Sequence, residues 1–293
     1  MSRRHDRPRY NTYVILSLLL QIWQQLEHLP YKPPVTCLFL ALNIVSFVLP
    51  IQILKYDLWD ISQNCIRPDK IMQLIRNGEY TKFLHHLALS GFIHVDEHHL
   101  YYNMLSLVWK GVQLEQILGS TELFFFIVYS IFASHFLMVF LSYIMITYGI
   151  FSWYSGYHDC AVGFSAVLFS MKYVLYMRSD GWIQIYGFPI NLKIAAWVEL
   201  VMISMLNPNA SFVGHFAGIV AGMGYQHLIP SFYGITSGIR RSFTFTRSTS
   251  RFATSRTNFQ SDQGRGVDEQ LSARRFVSPE EMRRRRLERY NNR

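Results

Sequence analysis

Cys160-Ala-Val-Gly-Phe-Ser-Ala-Val-Leu-Phe169 sets one hydroxyl, that of Ser165, between Gly163 and Ala166 at the head of an apolar run that continues to Met177. A serine at the mouth of a hydrophobic helix is chemically idle unless a nearby base takes its proton. Alone, a Gly-x-Ser is more often a tolerated helix start than a nucleophile. The candidate base is His215, which opens a second apolar run, Ser211-Phe-Val-Gly-His-Phe-Ala-Gly-Ile-Val-Ala-Gly222. His215, Gly218 and Gly222 fall at i, i+3 and i+7, one face of a helix, widened by Ala217 and Ala221. A helix with so little bulk beside its histidine sits almost against its neighbour, and a Ser–His contact between two helices demands that approach.

Half the residues are apolar and 16% are charged, against roughly 25% in an ordinary globular domain. Residues 1–12 hold Arg3, Arg4, Arg7 and Arg9 against Asp6, net +3, and residues 231–293 hold fourteen Arg against six acids, net +8. The middle, with ten bases and twelve acids, nets −2. An apolar body with basic ends reads as a multi-span membrane protein with both termini cytosolic, hence an even number of spans. It makes the lipid bilayer, not nucleic acid, the neighbour of the arginines. Cys37, Cys65 and Cys160 are too few and scattered for a disulfide framework.

Along the chain, 13–29 is apolar but followed by Gln24, Gln25, Glu27 and His28 instead of a cleavage site, and reads as a retained amphipathic segment. Pro33-Pro34 opens the first span, about 35–54, of the roughly 20 residues a bilayer requires. A polar stretch follows to 96, with a short interfacial helix around Pro68–Gly78. The second span, about 98–117, carries His99 and Asn103 one turn apart, then Gly111, Glu115 and Gly119 at intervals of four. A carboxyl on a glycine-lined face in lipid must be hydrogen-bonded by its neighbours. The third span, about 122–146, is assigned to packing; the fourth is 160–177; the fifth, about 190–206, holds Glu199; the sixth opens at Ser211.

His-x-x-x-Asn at 99–103, Gly-x-x-x-Glu-x-x-x-Gly at 111–119, Gly-x-Ser at 163–165 and Gly-His-x-x-Gly-x-x-x-Gly at 214–222 together resemble the rhomboid intramembrane serine proteases. The resemblance covers 34–230, is carried by the ordered set and not by any one motif, and implies an all-α polytopic membrane protein of six transmembrane helices. It implies Ser165 as nucleophile and His215 as general base without a third, acidic member. It also implies His99, Asn103 and backbone N–H near Ser165 as an oxyanion hole, with His94 and Gly163 beside the site and no metal or cofactor. The chain departs from the family in having Ala166 where glycine usually follows the serine, and no Trp-Arg pair is evident before His85.

Within the family the chain looks most like the endoplasmic-reticulum members with a C-terminal AAA-ATPase-binding tail. Ser278-Pro-Glu-Glu281 is a capping box with proline at the first helical position. The helix expected to follow, with Arg283, Arg284, Arg285, Arg286, Leu287 and Arg289, resembles the segment that binds the valosin-containing AAA ATPase. Residues 1–33 are then a cytosolic N-terminus, 231–277 a disordered basic linker and 278–293 the partner motif. Such a protein cleaves transmembrane clients in quality control and degradation at the endoplasmic reticulum. Two rivals remain. One is a catalytically inactive rhomboid-like factor that binds clients and hands them on. The other is a metal-dependent peptidase using His94, Glu97 and His98, which fit His-x-x-Glu-His.

Overall fold

The computed structural model describes residues 11–228, apart from 50–51, 54–55, 58–60, 186 and 208–209. Ten helices dominate them: α1 (Thr12–Glu27), α2 (Pro34–Val48), α3 (Ile61–Asn64), α4 (Pro68–Arg76), α5 (Tyr80–Leu89), α6 (Glu97–Leu118), α7 (Ser120–Tyr148), α8 (Ser165–Met177), α9 (Leu192–Leu206) and α10 (Phe212–Leu228). The all-helical expectation fails in two places. Gln52–Ile53 (β1) pairs with Tyr56–Asp57 (β2), and Trp182–Ile185 (β3) with Phe188–Asn191 (β4), each pair antiparallel. The second hairpin turns at Gly187, whose φ of 85° suits glycine, and Pro189 sits at a sheet edge, where a missing N–H is tolerated.

Polar contacts fix the direction of each long helix. Helix α6 begins beside Ser165 and runs away from it. At its far end Glu115 Oε1 accepts the N–H of Val35 at 2.9 Å, and Oε2 accepts the N–H and the hydroxyl of Thr36 at 2.9 and 2.8 Å. The α2 N-terminus, which no side chain of its own caps, is thus capped from another helix, and a buried carboxylate is satisfied there. Helix α2 then returns, its Ser46 hydroxyl donating to the carbonyl of Phe92 at 2.8 Å. Gly111 is the close-approach residue of this pair, since a Cβ there would stand 2.7 Å from Thr36. Gly119 belongs to no such face. It lies one residue past the end of α6 at φ 84° with nothing near its Cβ position, and forms the turn into α7.

Of the described helices, α7 is the one long and apolar enough by itself to cross a membrane, and α2 and α8 are shorter apolar helices. The α7 helix does more than pack. Ser130 meets Ser170 of α8, hydroxyl to hydroxyl at 2.9 Å, and the buried His135 hydrogen-bonds the carbonyl of Leu87 at 2.7 Å. Helix α1 buries Ile15, Leu18 and Ile22, one face at i, i+3 and i+7, as an amphipathic segment does. That face packs along α6 in the same direction: Asn11 N–H reaches Glu97 at 3.3 Å, and Tyr31 beyond the helix reaches Ser120 at 3.1 Å.

The chain has no disulfide framework to be read from its three scattered cysteines, yet the two distant ones, Cys65 and Cys160, form a disulfide. The reason is tertiary. Ile66 and Ala161 exchange both backbone hydrogen bonds at 2.9 Å, and Asp69 N–H donates to Tyr157 O at 3.1 Å, so the segments meet side by side.

Candidate active site

Ser165 is the first residue of α8, where backbone N–H groups lack intrahelical partners. His215 lies in the first turn of α10, whose start is capped by Ser211: its hydroxyl accepts the N–H of Gly214 at 3.1 Å and its carbonyl that of His215 at 3.1 Å. The structure brings the two residues together, His215 Nε2 standing 2.9 Å from Ser165 Oγ.

Two glycines make that approach. A Cβ at Gly218 would stand 2.2 Å from the carbonyl oxygen of Ala166, and one at Gly222 would stand 2.8 Å from that of Ser170. Backbone therefore lies against backbone along the α8–α10 contact. Ala166 itself is helical, is not among the residues of positive φ, and is buried. It needs none of the backbone freedom of the glycine usual in the family.

The remaining candidates gather on the other side of the serine. Gly163 has φ 110°, and a Cβ there would stand 2.6 Å from His99 Cε1 and 3.6 Å from Asn103 Nδ2, so the backbone preceding Ser165 lies against both side chains. Its N–H donates to Ser90 O at 2.9 Å, tying the serine loop to the 3₁₀ turn Ser90–Phe92. His99 is fixed at the start of α6, where the Asp96 side chain accepts its N–H at 2.8 Å. Asn103 is buried, and its Nδ2 has no hydrogen-bond partner among the described residues. His94 meets His99 edge to face, ring centroids 5.0 Å apart. Burial pushes the His94 imidazole down to about 3, with His99 adding to the shift, so it is neutral near pH 7.

His215 Nδ1 has no hydrogen-bond partner among the described residues, so no acid orients the ring. Phe169, one turn beyond Ser165, stacks on it, with centroids 4.6 Å apart and planes 29° apart. Sequence reasoning passed over Phe169 although its spacing of four from the serine was visible. It also passed over Ser90, whose carbonyl holds the Gly163 loop, and His135, whose Nδ1 lies 3.5 Å from the Ser90 hydroxyl, because spacing does not place the turn they share.

The zinc-type arrangement does not form. His94 is buried against His99, Glu97 accepts from Asn11, and His98 is exposed, and no group of three or more possible ligands converges among the described residues. His-x-x-Glu-His needs one helix for its side chains to converge, and α6 begins only at Glu97.

Residues 81–232 match the Rhomboid domain. The chain belongs to the rhomboid family. It is 37% identical over 227 residues to Rhomboid-like protein 14, mitochondrial, of Arabidopsis thaliana, covering 76% of this chain and 65% of that protein. It is 34% identical over 213 residues to Rhomboid-related protein 4 of Homo sapiens, covering 71% and 62%. This rhomboid chain thus spans a little under two thirds of the length of these relatives. No solved structure matches it. Like its relatives, this rhomboid is a membrane protein.

Proposed function

We propose that this rhomboid is an intramembrane serine endopeptidase that cleaves transmembrane clients. The observation that carries the reading is the 2.9 Å contact between His215 Nε2 and Ser165 Oγ, with Asn103 Nδ2 buried beside the same loop and without a hydrogen-bond partner among the described residues. In the proposed reaction Ser165 Oγ attacks the scissile carbonyl as its proton passes to His215 Nε2. The tetrahedral oxyanion takes hydrogen bonds from Asn103 Nδ2 and from N–H groups at the start of α8, and His99 backs the Gly163 loop. His215 then returns the proton to the leaving amine, and a water, deprotonated by His215, releases the acyl group from the serine.

Six crossings, α2 and α6 through α10, fit this reading. Helices α2 and α8 have 15 and 13 residues, about 20 Å each at 1.5 Å per residue and short of a bilayer core of roughly 30 Å, so the bilayer thins around them. Helix α10 leads away from Ser165, so its C-terminal end lies on the side of the bundle opposite the serine. The disulfide near Ser165 suits an oxidising lumen, and the arginines suit the cytosol. The compartment proposed is the endoplasmic-reticulum membrane, although the plant relative is named mitochondrial. Client cleavage there serves quality control and degradation. The tail motif at Arg283–Arg286, Leu287 and Arg289, proposed to bind the valosin-containing AAA ATPase, lies outside the described residues.

The test is reconstitution of the purified chain with a membrane-anchored client. Wild type cleaves, and Ser165→Ala and His215→Ala do not. Equal cleavage by wild type and Ser165→Ala refutes the protease. Client binding without cleavage by any form would favour the non-cleaving factor, a reading that rests on Ala166.

A further inference from the structure

Lys172 stands seven residues beyond Ser165 on α8, in a helix buried on nearly every side, with its own side chain 7% exposed. A buried ammonium is costly unless paired, and an apolar side chain of similar volume often serves stability as well or better. Packing alone does not account for a lysine here.

Its contacts lead toward His215. Lys172 forms an ion pair with Glu199 of α9, whose other carboxylate oxygen accepts the Tyr176 hydroxyl at 3.2 Å. The held ammonium lies over the Phe169 ring, 4.8 Å from its centroid. The same ring stacks on the His215 imidazole at 4.6 Å. In a Ser–His–acid triad the acid orients the imidazole through Nδ1. Here Nδ1 has no hydrogen-bond partner among the described residues, which leaves the stacked Phe169 as the contact that sets the plane of the ring.

We propose that Lys172, clamped by Glu199, is a positioning residue for the Ser165–His215 pair. It acts through Phe169: the cation–π contact fixes the phenyl ring, and the phenyl ring fixes the imidazole with Nε2 toward Ser165 Oγ. The pair thereby takes over from the second helix neighbour, α9, the orienting task that an acid performs in a triad. The inference rests on the protease reading.

The experiment uses the full chain in proteoliposomes with a membrane-anchored client, measuring kcat and KM separately and thermal stability in parallel. Lys172→Met alone strands the Glu199 charge and threatens folding, so the decisive variant is Lys172→Met with Glu199→Gln, which removes both charges together. The expected result is an unchanged or raised Tm, an unchanged KM and a kcat lower by about tenfold or more, the scale of a displaced catalytic group. Lys172→Arg keeps the cation over the ring and recovers most of the kcat. Phe169→Leu lowers kcat by a similar factor, and adding the double neutralisation to it costs little more, because both act through one ring. A wild-type kcat in the doubly neutral variant overturns the role of Lys172 while Ser165→Ala remains inactive. So does a loss of kcat that tracks a loss of Tm. Equal cleavage by wild type and Ser165→Ala overturns the dyad reading itself, and this inference with it.

Discussion

Gly218→Ala tests whether backbone contact between α8 and α10 is what makes the dyad. The added Cβ would lie 2.2 Å from the Ala166 oxygen, 2.9 Å from its carbonyl carbon and 3.1 Å from its Cα, where ordinary contact begins at 3.4 Å. All three atoms are backbone, so no rotamer change relieves the clash, and α10 must withdraw by about 1 Å. His215 lies one turn before Gly218 and moves with it, which stretches the 2.9 Å contact with Ser165 beyond hydrogen-bond range. A misplacement of about 1 Å costs on the order of 100-fold in rate, and the overpacking costs about 1–3 kcal/mol of stability. The assay is client cleavage in proteoliposomes, with kcat and Tm measured together. Gly119→Ala is the control: it strains a residue at φ 84° but meets nothing within 4 Å, so it lowers Tm slightly and leaves kcat alone. Adding Ala166→Gly to Gly218→Ala gives no rescue, because the three atoms nearest the new Cβ are Ala166 backbone, which that change leaves in place. A Gly218→Ala protein with wild-type kcat refutes the reasoning.

Glu115→Gln offers one acceptor oxygen where two now serve Val35 and Thr36, so it lowers Tm, by about 1–3 kcal/mol of stability. Its kcat stays unchanged, because the cap lies at the end of α6 away from Ser165. The Arg67 guanidinium holds the Asp69 carboxyl well below the usual carboxylate range, against the opposing effect of burial and with help from His158 and Lys70 N–H. Because the folded value is depressed, the contribution of Asp69 is complete well above the unfolded value of 3.8 and is lost as pH falls below it. Asp69→Asn therefore has a lower Tm than wild type at pH 7, and the difference shrinks as the pH is taken to 3; a constant difference contradicts it. Cys65→Ser with Cys160→Ser removes a link between residues 95 apart, at a cost of about 2–4 kcal/mol. Wild type, unlike the variant, shifts on a gel when reduced.

The parts of this fold that local sequence determines were readable. Pro68 at the first helical position, with Asn77-Gly78 closing the chain, marks α4, and the spacing of His215, Gly218 and Gly222 marks the face that meets α8. What distance in the chain conceals was not readable. Glu115 had to be hydrogen-bonded, but nothing local says that its partner is the unprotected start of α2, 79 residues earlier. The cysteine pair is settled by the Ile66–Ala161 bridge, which spacing does not reveal. The face of α1 at Ile15, Leu18 and Ile22 announces a partner without naming α6 or the direction in which they run. Lys172 escaped notice because an apolar run absorbs one long side chain, and its meaning depends on Glu199 in another helix.

The hydrogen-bond state of the buried polar atoms also bears on where this molecule acts. Through most of the bundle, buried polar groups close on one another: Glu115 on the α2 start, Ser130 on Ser170, Tyr225 on Glu122, Lys172 on Glu199, His135 on the Leu87 carbonyl. Beside Ser165, Asn103 Nδ2 and His215 Nδ1 stand without hydrogen-bond partners among the described residues, as Asn43 Oδ1 and Ser142 Oγ do elsewhere in the bundle. A buried amide donor left unpaired costs stability, and the one next to the serine loop is placed where a substrate oxygen could take its hydrogen bond. An amide N–H already removed from water binds a developing oxyanion with no further reorganisation. Gly163 belongs to the same economy of space, because a Cβ there would stand 2.6 Å from His99 Cε1 and push that ring out of place, while Asn103 Nδ2 at 3.6 Å would be in ordinary contact.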